Sequence, residues 1–176
     1  MIADHAVALK PIDVPVALQL AGHPEEKYAA LSADLGVSAS IVHASVRRLQ
    51  LAGLLRPESR SVNWLALREF LQHGLRYAFP ARPGAPARGV ATAHSAPPLA
   101  DHILSEDVLV WPEMNGSARG RSLTPLLNSA SGLPERCPSL YELVALADAI
   151  RVGRVRERRL AMDALEARLG PEPRAT

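Results

Sequence analysis

Lysine is nearly absent from this chain: Lys10 and Lys27 are its only two, against eighteen arginines. Its positive charge therefore sits almost wholly on planar guanidinium groups, which pair with carboxylate, phosphate and guanine through two parallel hydrogen bonds. Cysteine occurs once, at Cys137, so no internal disulfide can form. No apolar run approaches the roughly 20 residues needed to span a bilayer. No long basic run is present either, which argues against non-specific coating of nucleic acid. Motifs of catalysis and of tight metal binding are missing. There is no GxSxG, no HExxH, HxH or CxxC, and the glycines of "GSARGRS" lack the GK[ST] ending of a phosphate loop. Neither an enzyme nor a cofactor is expected. No internal repeat is visible.

What remains can build a core. Of 176 residues 48% are hydrophobic, and mean hydropathy is +0.02. That suits one domain, or a small domain with a substantial appendage. The opening "MIADHAVALKPIDVP" carries acids early and a proline within, unlike a secretion signal, so the expected compartment is the cytoplasm. Charge is unevenly placed. Residues 1–60 balance six acids with six bases, whereas 61–100 set four arginines against one acid.

Along the chain, apolar spacing after Pro11 predicts a first helix. A second is predicted from Pro24, with Glu25 and Glu26 in its first turn and Gly36 as a left-handed terminator. Ser38 then caps a helix over 38–52, whose Val42, Val46 and Leu49 form one inward stripe. "LLRPESRSVNWL" reads as a small β-hairpin at 54–64, followed by a helix over 65–79. Residues 80–136 change character. The stretch 80–100 holds five prolines and reads as extended chain wrapping a surface or as a linker, with a strand at 108–111 and a short helix opened by Thr124 and Pro125. In 137–176, Ser139 and Glu142 have the spacing of a capping box. Leu140, Leu143, Val144, Ala147 and Ile150 make a stripe, Gly153 divides the helix, and Gly170 and Pro171 stop it.

The order helix, helix–turn–helix, hairpin, helix, carried by "YAALSADLGVSASIVHASVRRLQLAGLLRP", resembles the winged helix-turn-helix regulators of bacteria, the MarR- and ArsR-like group. The likeness rests on Leu31, Leu35, Gly36, Ser38, Val42, Leu49, Gly53 and Leu54, and spans residues 9–79. It implies a mainly α fold with a small β-hairpin wing: a winged helix-turn-helix domain over 1–79, the Pro/Gly-rich segment 80–136, and C-terminal helices over 137–176. The resemblance also implies double-stranded DNA as partner and a two-fold homodimer acting as a repressor, for which the C-terminal helices are the candidate interface.

With Val42, Val46 and Leu49 turned inward, Ser40, His43, Ala44 and Arg47 point outward from a helix that would enter the major groove. Arg47 suits guanine or phosphate, and Ala44 suits a thymine methyl. Ser40 and His43 suit either base or backbone. Ser38 stands at the helix N-terminus, which attracts phosphate. Arg48 adds a second cation, Lys27 and Tyr28 are candidate backbone contacts, and Arg56 and Arg60 flank the wing tip. The arginines at 151, 154, 156, 158 and 159 could touch DNA or a partner, with a salt-bridged surface as the plainer alternative. Among the histidines at 5, 23, 43, 73, 94 and 102, only His94 and His102 with Cys137 offer a conceivable metal set. Two other readings stay open: a protein-binding winged helix, such as an antitoxin-like or defence-associated adaptor that holds a partner through 80–176, and a repressor with a small-molecule pocket between the wing domain and the later helices.

Overall fold

The computed structural model describes residues 8–170; His5 and Pro171, named above, lie outside them. The fold is mainly helical with one small mixed three-stranded sheet. Among the described residues, no single helix is long and apolar enough to cross a membrane.

Two helices form the centre. The first, α1 (Asp13–Gly22), is buried from Asp13 through Leu20. It packs between α2 (Tyr28–Leu35) and α3 (Ala39–Leu51) on one side and α7 (Pro138–Val152) and α8 (Val155–Leu169) on the other. Along α7, every residue from Leu143 to Arg151 is buried. An element apolar all round must be enclosed, and these two enclose each other. One hydrophobic core runs through them and takes in Val42, Leu71, Trp111 and Leu133 from the segments between.

The helix expected from Pro24 begins later, at Tyr28, with Lys27 at its cap. Residues 23–26 are spent on a turn in which the N–H of Glu26 meets the carbonyl of His23 at 3.1 Å. Proline at the second position of such a turn is favoured, so the same residue that suits a helix start serves a turn instead. Gly36 ends α2 in the left-handed region, at φ 65°. A Cβ there would also meet the Arg136 guanidinium at 2.8 Å. Gly36→Ala is expected to cost about 1–2 kcal/mol of stability from the backbone alone. Urea unfolding reads this directly.

The α2 and α3 axes meet at 104°. Val42, Val46 and Leu49 face inward as the stripe requires, joined by Ser45. The hairpin is shorter than expected: one bridge, Leu55 opposite Val62, closes it, with Arg56 N–H bonded to the Ser61 carbonyl at 2.9 Å. Asn63 caps α4 (Trp64–Glu69), which continues through a π turn (Phe70–Gly74) into α5 (Leu75–Ala78).

Residues 80–136 contain the sheet, part of it in the stretch 80–100 read as wrap or linker. The sheet comprises β1 (Pro86–Ala91), β2 (Leu109–Pro112) and β3 (Ala118–Ser122). The expected strand at 108–111 corresponds to β2, while β1 falls in the proline-rich stretch that has no period. β1 pairs antiparallel with both partners, and those two pair parallel with each other, so the sheet closes into a minimal barrel. Closure leaves no free edge. Gly89 makes it possible: it pairs with Pro112 on one side and Ala118 on the other, and a Cβ there would overlap the carbonyl of Trp111.

Thr124 and Pro125 open no helix. The Thr124 carbonyl is taken by Arg151 at 2.7 Å, Leu126 and Leu127 are both buried, and the segment bends and turns without helical bonding. A 3-10 turn at Ala130–Gly132 leads into the next α-helix, the one-turn α6 (Leu133–Arg136). Ser139 and Glu142 form no capping box either. Cys137 takes the cap position and Pro138 the first helical one, where a missing N–H costs nothing. Gly153 does divide the C-terminal helices.

A buried polar cluster fastens the sheet to α7. Asp148 Oδ2 accepts from Thr92 Oγ1 at 2.8 Å and from the Trp111 indole at 2.7 Å. Its Oδ1 lies 3.2 Å from Arg151 Nε as an ion pair without hydrogen-bond alignment. Tyr141 packs edge-on against Trp111 and donates to the Ala91 carbonyl at 2.8 Å.

Candidate nucleic-acid interface

The outward side of α3 carries Ser40, His43, Ala44 and Arg47, all exposed. Their positions recur at three- and four-residue steps, so they share one face opposite the buried stripe. Ser38 occupies the cap position in extended conformation, but its side chain does not cap the helix. Its hydroxyl instead lies 3.0 Å from that of Ser40. Both hydroxyls therefore stand together at the helix N-terminus, where the dipole is positive.

Arg48 departs from expectation. It donates through Nε to Asp13 Oδ2 at 2.8 Å and through Nη2 to Oδ1 at 2.6 Å. The side chain is 11% exposed and Asp13 is 1% exposed. The hydrogen bond to Asp13 raises the guanidinium pKa further, against the opposing effect of burial. Ser45 donates to the same carboxylate at 2.7 Å. Arg48 thus ties α3 to α1, and its charge is already matched.

The face has two flanks. On the hairpin side, the rings of His43 and Tyr28 stack with centroids 3.8 Å apart at 18°. The Arg60 guanidinium lies 4.8 Å from the centre of the same tyrosine ring and also donates to the carbonyl of Glu26. Gln50, from the end of α3, holds the hairpin through the Ser59 carbonyl at 2.7 Å. Lys27, at the foot of α2, and Arg56, at the hairpin, are both exposed.

On the other flank a mainly apolar groove of ≈ 590 Å³ separates α3 from residues 124–128. Ile12, Ser40, Ile41, Ala44, Leu126 and Leu127 line it. The α2–α3 turn is held from the same side: Ser129 donates to the Leu35 carbonyl at 2.5 Å, and Arg136 bonds the Ser129 carbonyl at 2.8 Å.

The C-terminal arginines divide. Arg151 is buried against Asp148, and Arg158 donates to the Gly153 carbonyl at 2.9 Å. Arg154, Arg156 and Arg159 are exposed on α8. The stripe of α7, a candidate for pairing with a second copy, is covered within this chain by α1, α5 and α8. Among the described residues no three His, Cys, Asp or Glu side chains stand close enough to hold a metal. His94, His102 and Cys137 do not form such a set; His94 Nε2 instead meets the Asp107 carbonyl at 2.7 Å.

Two parts of this site escape a reading of the sequence. Asp13 and Arg48 are 35 residues apart, and a lone acid at a helix start looks like surface. The Tyr28–His43 stack joins residues on different helices. Compared with protein-family models, with curated proteins and with solved structures, the chain matches none.

Proposed function

We propose that residues 9–79 form a winged helix-turn-helix that reads double-stranded DNA, with α3 in the major groove and the 54–64 hairpin as a short wing. On this reading the protein is a transcriptional regulator of the cytoplasm, a dimeric repressor. One observation carries it. The outward stripe Ser40, His43, Ala44 and Arg47 is uncovered on a helix whose opposite face and orientation are locked by the core and by Asp13. The 104° between α2 and α3 supports it, lying within the roughly 90–120° of helix-turn-helix pairs. Arg47, Arg56 and Lys27 are exposed around that stripe and suit phosphate contacts. With Arg48 matched by Asp13, the free positive charge on one copy is small. Two copies on two half-sites would double it.

The test is binding of the full chain to random-sequence duplexes and to the DNA upstream of its own gene, at rising salt. Enrichment of a defined site, with affinity falling steeply as salt rises, is expected. Arg47→Ala should weaken that site by about 1–3 kcal/mol and leave the melting temperature unchanged. Failure to enrich any duplex overturns the reading.

The apolar groove beside α3 favours a second reading, a protein-binding module such as an antitoxin-like or defence-associated adaptor. Its lining suits an apolar side-chain row better than a phosphate. Such binding would persist at high salt, which separates it from the first.

A further inference from the structure

We propose that Tyr28 is a positioning residue that fixes the recognition edge of His43 and couples it to the wing, rather than a contact to the DNA backbone. The inference rests on the DNA-reading role of α3 given above. A histidine exposed on a helix ordinarily samples several side-chain orientations. Here one face of the imidazole is covered at 3.8 Å by a nearly parallel tyrosine ring. The stack sets the plane of the imidazole and so the direction in which its edge, with the two nitrogens, meets a base or phosphate. The tyrosine is itself held. It opens α2 and is half-buried against the core, and the Arg60 guanidinium lies over its ring at 4.8 Å. Arg60 is anchored in turn by the carbonyl of Glu26. The Glu26 carboxylate takes the amide of Gln19, a buried side chain of α1, at 3.0 Å.

One aromatic ring therefore joins three elements that must act together: the foot of α2, the reading face of α3, and the hairpin. A residue that grips phosphate contributes equally on every sequence, because phosphate carries no sequence information. A residue that aims His43 contributes only where the histidine edge meets its partner. Tyr28 thus sets discrimination at one position in the site and leaves general affinity alone. The stack also makes the contributions of His43 and Tyr28 interdependent, as neighbours in contact are.

The experiment uses the full chain and the duplex enriched from a random-sequence pool, with a scrambled duplex as comparison. Tyr28→Leu keeps apolar bulk against the core but removes the ring face; Tyr28→Phe keeps the ring and removes the hydroxyl. Tyr28→Leu should weaken the enriched duplex about tenfold, the size of a lost stacking and cation–π arrangement, with scrambled binding and salt slope unchanged. Tyr28→Phe should restore the loss. Adding Tyr28→Leu to His43→Ala should cost less than it does alone, and both single variants should relax choice at the same base pair. Phenylalanine binding as poorly as leucine would show that the hydroxyl grips phosphate, and the proposal falls. Leucine binding as tightly as tyrosine overturns it as well. If the wild-type chain enriches no duplex, the DNA reading itself fails and this inference goes with it.

Discussion

Replacing Asp148 by alanine is expected to destabilise the fold by about 3–5 kcal/mol, the usual cost of removing one partner from a buried ion pair. The substitution strands three groups at once: the indole N–H of Trp111, the hydroxyl of Thr92 and the guanidinium of Arg151. All three are buried, so water cannot replace the carboxylate as their partner. For a chain of this size the loss lowers the melting temperature by roughly 2–4 °C per kcal/mol. Asp148→Asn keeps an oxygen for Thr92 and Trp111 and should fall between alanine and wild type. The carboxyl also has a pH signature. Burial pushes its pKa up, opposed by Arg151 and by the bonds from Thr92 and Trp111. A folded pKa above the unfolded one means that the folded state holds the proton more tightly. The resulting stability is fully present below the unfolded pKa and is lost as pH rises through the folded one. The advantage of wild type over Asp148→Asn should therefore grow as pH is lowered from neutral. An advantage that shrinks on acidification would show that Arg151 outweighs burial.

The parts of this fold that were legible in the sequence are those set by neighbours along the chain. Val42, Val46 and Leu49 recur at helical spacing and are buried together; Gly36 has the position of a left-handed terminator and takes that conformation. Gly153 separates two helices because it ends one pattern and precedes another. Where the chain folds by contacts between distant residues, local signals mislead. β1 is read as irregular because its prolines, alanines and glycine have no strand period. It is a strand because β2 and β3 close around it, and Gly89 is there because a larger residue would strike Trp111. Ser139 has the spacing of a cap, but Cys137 is the cap and α7 starts at Pro138, two residues earlier than a Ser139 cap implies. The outward set on α3 follows from the buried stripe alone and is exposed as that stripe requires. Arg48 does not follow from it, since its place depends on an acid in another helix. Nor does the groove beside Ser40 and Ala44, whose far wall is a segment that reads as a short helix and folds as irregular bends and turns.

On the proposed DNA-reading role of α3, Asp13→Ala is expected to strike both stability and duplex binding. The carboxylate accepts the backbone N–H of Lys10 at 2.7 Å, the Ser45 hydroxyl at 2.7 Å and two bonds from Arg48 at 2.8 and 2.6 Å. It helps hold the start of α1 through the Lys10 N–H, and it fixes α3 against α1 through two successive turns of α3. Removing it leaves a buried hydroxyl and a largely covered cation without their partner, again about 3–5 kcal/mol. In protein that still folds, α3 loses the bonds that set its angle, and affinity for the enriched duplex should fall further than for Arg47→Ala. A second substitution separates the two effects. When both members of a buried pair become apolar, stability commonly returns, so Asp13→Ala with Arg48→Met should melt well above Asp13→Ala alone. If Arg48 serves only to orient α3, the double variant should also regain part of its duplex affinity, with the salt slope of wild type. Stability regained with binding still lost, and a salt slope lower by about one phosphate contact, would instead return Arg48 to the interface. Thermal melting and a salt titration of duplex binding on these variants decide whether the ion pair serves the helix or the DNA.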